Sequence, residues 1–190
     1  MIKQNKLETE QQSGDVKLEE LIVFFAQECI GDKHFGATKL NKLLFTADFW
    51  AHAYLGRSIT GTKYIRQQFG PTPDPDLFLK IRQSLIDDGR ITIVGEETYR
   101  GIRQRPIALT EPNLQIFDKN EIALCRDIIE FLRPLYGVES SEWSHEFPGW
   151  QYTNEGDTIP YESVFLWRKE PVTQEDKEWA KSIGQQLGLI

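Results

Sequence analysis

The chain has 190 residues, 39% of them hydrophobic, with 11 Phe, 6 Tyr and 5 Trp, enough to fill the core of one ordinary domain. Its formal net charge of −7 argues against non-specific nucleic-acid binding, which rewards clustered Lys and Arg, and suits a basic protein partner better. No apolar stretch reaches membrane length and the N-terminus lacks a signal-peptide core, so the sequence reads as cytoplasmic.

Residues 1–15 are rich in Gln, Glu and Lys and predict a disordered or loosely ordered N-terminal arm, leaving a single domain over 16–190. From Leu18 the pattern turns helical, with Leu21, Ile22, Phe25 and Cys29 on one stripe and Gly31 just past its end. The next helix is apolar on so many sides that it must be surrounded: Leu40, Leu43, Leu44, Ala47, Ala51, Tyr54 and Leu55 recur at helical spacing beside Phe45, Phe49 and Trp50. Asn41, Lys42, Thr46, Asp48 and His52 interrupt it, Thr38 is the expected N-cap and Gly56 the stop. Asp48 and His52, one turn apart, read as a buried polar pair. Ile59 to Gln68 reads as an edge strand or extended arm, closed by a turn at Gly70-Pro71.

Asp74 and Pro75 start a helix carrying Leu77, Ile81 and Leu85, which Gly89 ends. Ile91–Val94 and Ile102–Leu109 then predict a β-hairpin after a helix, a winged-helix-like pattern. Asp118 with Glu121 forms a capping box for a helix with Ile122, Cys125, Ile129 and Leu132 inward, and a last helix is expected from Thr173 through Trp179, Ile183 and Leu187. The fold class is therefore α+β, predominantly helical: one domain around a central buried helix, with a small antiparallel sheet and a wing-like hairpin. Cys29 and Cys125, both on apolar faces, read as buried reduced thiols.

The case for chemistry is weak. Ser144, His145 and Glu142 lie close in sequence, but Ser144 and His145 point to different sides of a helix, no Gly-rich elbow surrounds them, and Ser141 serves equally well as an N-cap. His145-Glu146 is followed by Phe-Pro-Gly rather than a second histidine, so no metal site or cofactor is expected. GRSITGTK lacks the strand-to-helix context of a phosphate loop. Arg100, Arg103 and Arg105 make a basic spot on the hairpin that supports a DNA-binding regulator as the second reading, although Lys80 and Arg82 are the only cations available to a recognition helix. Tyr64, Phe69, Trp143, Trp150, Tyr152 and Tyr161 fall in short or turn-like segments where burial is harder to complete, which favours a protein partner.

The runs KLNKLLFTADF, GRSITGTKY and FGPTP, with WSHEFPGW at Trp143–Trp150 and EGDTIPY at Glu155–Tyr161, resemble the Panacea domain of SocA-like antitoxins over roughly residues 17–165. The resemblance implies an antitoxin that neutralises a cognate protein toxin by binding it, without enzymatic activity, often encoded on prophages and other mobile elements. By their place in the two family-like blocks, Tyr64, Gln68, Phe69, Gly70, Pro71, His145, Trp150 and Tyr161 are the candidate partner-binding residues. The sequence leaves the toxin and the homo-oligomeric state open.

Overall fold

A helix apolar on most of its circumference needs neighbours all round, and α2 (Ala37–Leu55) has them in the computed structural model, which describes residues 2–99 and 101–167. In chain order the elements are α1 (Ile2–Glu28), α2, β1 (Tyr64–Gln67), β2 (Gly70–Pro73), α3 (Pro75–Asp87), β3 (Ile91–Thr98), β4 (Gly101–Ala108), α4 (Lys119–Leu132), α5 (Gly137–His145) and α6 (Pro148–Tyr152). Short 3-10 turns lie at Leu114–Ile116 and Tyr161–Leu166. The fold is α+β and mostly helical, with two separate antiparallel ribbons, β1–β2 and β3–β4. α2 touches α1, α4, α5, β2, β4 and the 161–166 turn. Its Leu40, Leu43, Leu44, Phe45, Ala47, Phe49 and Ala51 are all buried. Arg100 and the helix expected from Thr173 lie outside the described residues.

The ends of α2 correct two expectations. Gly56 stops the helix at φ +74°, as its freedom in the left-handed region allows. The N-cap, however, is Gly36 in extended conformation, and Thr38 lies inside the first turn. Close packing explains the choice, because a Cβ on Gly36 would meet the Arg103 side chain of β4 at 2.7 Å. At the other end, Tyr54 is not on the buried stripe but 72% exposed, so the last turn of α2 emerges into solvent.

Lys39, Lys42, Thr46 and Asp48 of the central helix are buried; Thr46 donates to the Lys42 carbonyl one turn back, and the other three are satisfied by contacts from outside the helix. Lys39 donates to Asp32 Oδ2 at 2.6 Å and to the carbonyls of Arg133 and Leu135 at 3.0 and 2.8 Å, which occupies all three ammonium hydrogens. That one side chain pins α2 to the turn after α1 and to the link between α4 and α5. Arg105 of β4 works similarly, donating to the carbonyls of Cys29, Ile30 and Asp32. Carbonyls just beyond a helix end have no intrahelical partner, so the guanidinium closes α1 and fastens the β3–β4 ribbon to it. The expected caps of α3 by Asp74 and of α4 by Asp118 with Glu121 are present. Cys29 and Cys125 are buried and free, and burial pushes both thiols up, Cys29 to about 12. Among the described residues no helix is long and apolar enough to cross a membrane.

Asp48 is fully buried and accepts four hydrogen bonds. Its Oδ1 accepts from the backbone N–H groups of Ile59 and Thr60 at 2.8 and 2.7 Å, and its Oδ2 from the hydroxyls of Thr60 and Tyr64 at 2.6 and 2.8 Å. Burial pushes the carboxyl above its ordinary range while these donors pull it back. Its partner is therefore not His52, which is half-buried with its ring 5.5 Å from Tyr161 and 5.7 Å from Phe165. Removing one donor from a buried carboxylate leaves it underbonded, so Tyr64→Phe is expected to lower unfolding free energy by about 1–3 kcal/mol in urea titrations.

Candidate protein-binding site

The Asp48 network fixes the chain where it enters β1. Tyr64 is 1% exposed, and from it the strand runs outward to a two-residue turn, Gln68-Phe69, pairing Gln67 with Gly70. The sequence placed this turn two residues later, at Gly70-Pro71. Instead both turn residues keep negative φ and Gly70, at φ +101°, opens β2, a conformation that glycine supplies without steric cost. The other edge of β1 receives the EGDTIPY segment. The N–H of Arg66 donates to the Asp157 carbonyl at 3.0 Å, and those of Gly156 and Ile159 donate to the carbonyls of Arg66 and Tyr64 at 2.9 and 2.8 Å.

Trp150 joins the two family-like blocks across 83 positions, its indole N–H donating to the Gln67 carbonyl at 2.9 Å. His145 stacks on the Trp150 ring with centroids 4.0 Å apart and planes within 14°. Arg66 lies over the same ring at 4.5 Å and reaches Glu155 at 3.0 Å. Burial first, then the nearby charges of Lys42 and Arg66, lowers the His145 imidazole below its ordinary range, against a smaller opposing pull from Glu142. Its Nε2 is buried without a hydrogen-bond partner among the described residues.

These side chains do not converge as an acyl-transfer site. The buried Ser144 hydroxyl donates to the Ser141 carbonyl at 2.7 Å, one turn back in α5, while Glu142 points to solvent. Ser141 is not a cap either, since α5 starts at Gly137 and Glu139 reaches back to the Tyr136 N–H at 2.8 Å. The described residues hold no cluster of His, Cys, Asp and Glu suited to a metal ion.

Beneath Gly70 lies Lys42, 1% exposed, whose ammonium donates to the Pro71 carbonyl at 3.1 Å. Burial lowers its pKa to about 7. The candidate residues therefore divide into two layers. Tyr64, Gly70 and Pro71 are buried and support the surface, whereas Gln68 and Phe69 are exposed, Phe69 at 68%. Half-buried Tyr161 donates to the Thr62 carbonyl at 2.6 Å. Of the expected aromatic surface, Tyr152 is the most open at 84%. Arg66 and Lys42 were not singled out from the sequence. The signal for Lys42 was its place among apolar neighbours on a helix that had to be surrounded. On the hairpin, Arg105 is buried and Arg103 pairs with Glu96 at 2.6 Å, so neither cation is free for a phosphate backbone.

Two consequences for stability are measurable. A Cβ at position 70 would be in a left-handed conformation, would collide with Ser144 Oγ and would meet Lys42 Nζ at 2.6 Å; Gly70→Ala is expected to cost about 1–3 kcal/mol of unfolding free energy. Lys42 titrates near 7 in the folded chain and near its ordinary 10.5 when unfolded. Between those values the unfolded state binds more protons, so stability rises with pH across the window. In urea midpoints followed from pH 6 upward, Lys42→Met is expected to flatten that rise.

Residues 40–151, more than half of the chain, match the family model described as antitoxin SocA-like, Panacea domain. No curated protein and no solved structure matches the chain. The matched span takes in α2 from Leu40 onward, the β1–β2 hairpin and the Trp150–Gln67 contact. The chain belongs to the SocA-like antitoxin family, as a Panacea domain.

Proposed function

We propose that this protein neutralises a cognate protein toxin by binding it directly in the cytoplasm, through the face formed by the Gln68-Phe69 turn, His145, Trp150 and the segment up to Tyr161. The observation that carries the reading is the Trp150 junction. It joins two remote segments at Gln67, directly before the hairpin turn whose Phe69 ring is exposed. A turn fixed in advance by an indole hydrogen bond, a stacked imidazole and a guanidinium loses little freedom on binding. Exposed aromatic rings are also the usual anchors of interfaces. The engaged Ser144 hydroxyl fits a role in recognition rather than bond breaking. The pairing of Arg103 and burial of Arg105 disfavour the DNA-binding alternative.

The test is co-expression with the product of the neighbouring gene in growing cells. The wild type is expected to restore growth, Trp150→Ala and His145→Ala to lose rescue, and Phe69→Ala to lose it with an unchanged melting temperature. Phe69 separates recognition from folding because its ring is on the outside. Full rescue by all three variants defeats the assignment.

A further inference from the structure

Between Gly137 and Trp167 the chain carries Glu139, Glu142, Glu146, Glu155, Asp157 and Glu162 and no Lys or Arg. All of these carboxylates are exposed. One stretch therefore holds a charge close to the −7 of the whole chain. Among the described residues only Glu155 of this group has a cationic partner, Arg66. Elsewhere several acidic groups do have a cation beside them: Glu20 has Arg90, Glu96 has Arg103, Glu121 has Lys17 and Arg57, and Glu130 has Arg133. The same stretch presents Tyr152 at 84% exposure, and the Trp150 bond holds it against the turn that exposes Phe69.

We infer that this face receives a basic segment of the partner protein, with Arg or Lys side chains over Phe69 and Tyr152 and against the surrounding carboxylates. The inference rests on the toxin-binding reading and names the chemistry of the partner. The molecule already contains one example of the arrangement. Arg66 has its guanidinium over the Trp150 ring and donates from Nη1 to Glu155, the pairing of aromatic face and carboxylate that suits a planar cation. Unmatched surface charge of one sign also steers an oppositely charged partner and repels others. It disfavours nucleic acid, and it disfavours a second copy, since a two-fold contact would oppose the acidic face to itself.

The test titrates the isotope-labelled protein with a synthetic Arg- and Leu-rich peptide, and separately with its Glu- and Leu-rich counterpart, following backbone amide shifts. The basic peptide is expected to move residues 66–69 and 142–158, with affinity falling roughly tenfold as salt rises from low to physiological levels. The combined variant Glu142→Gln, Glu146→Gln and Asp157→Asn is expected to lower affinity about tenfold at low salt while the melting temperature holds. Phe69→Ala and Tyr152→Ala weaken binding further. Equal binding of the acidic peptide, shifts confined to another face, wild-type affinity in the neutralised variant, or concentration-dependent self-association through these residues each overturns the inference. The titration needs no toxin. Rescue of growth by the neutralised variant sinks the basic-segment inference and leaves neutralisation standing, whereas peptide binding at this face without any rescue by the wild type sinks neutralisation alone.

Discussion

A buried carboxylate with four donors governs the geometry of this domain. Asp48 sits on the central helix, yet its partners all come from residues 59–64, the segment that leads from α2 into the first ribbon. Two backbone N–H groups and two hydroxyls leave this segment one low-energy path, because any other would strand the acid in an apolar core. Tyr64 contributes the last of these donors and also packs its ring against Phe45 and Phe49. The direction in which β1 leaves the core is thus set by the same residue that completes the polar cluster, and the Phe69 turn and the Trp150 contact both follow from that direction.

The sequence was legible where one force dominates. The apolar circumference of residues 40–51 specified a surrounded helix, and Asp74-Pro75, Asp118 with Glu121, and Gly56 marked ends through local chemistry alone. It was less legible where tertiary contacts override local preference. Thr38 is a good capping residue, but the Arg103 side chain crowds position 36 so closely that glycine takes the cap. Gly70-Pro71 is a strong turn signal, yet Gly70 opens a strand because its positive φ closes the turn before it. Lys39, Lys42 and Arg105 look like surface charges in one dimension. Their burial depends on carbonyls supplied by residues far along the chain, which no local pattern reports. For the candidate site, the two blocks were visible as segments, whereas their joining by the Trp150 N–H and the Gln67 carbonyl was not.

The division between support and surface has a physical logic. Residues that hold the face in place are buried and hydrogen-bonded: Tyr64 to Asp48, and Lys42 to Pro71. Residues that meet solvent above them, Gln68, Phe69 and Tyr152, carry little of the packing. Substitutions in the outer layer are therefore cheap in stability, and a binding face of this kind can change its preferences while the frame below stays constant.

The hairpin has a further property that follows from its prolines. The N–H of Asp74 points at the Lys63 carbonyl, so by the alternation of an antiparallel ladder the N–H groups that would face away from β1 belong to positions 71 and 73, and both are proline. That margin offers no main-chain donor, and the Pro71 carbonyl is already taken by Lys42. An incoming chain cannot zip onto the ribbon as an extra strand. Discrimination between visitors is left to side-chain shape and charge, and the free domain is guarded against sticking to its own kind along that margin.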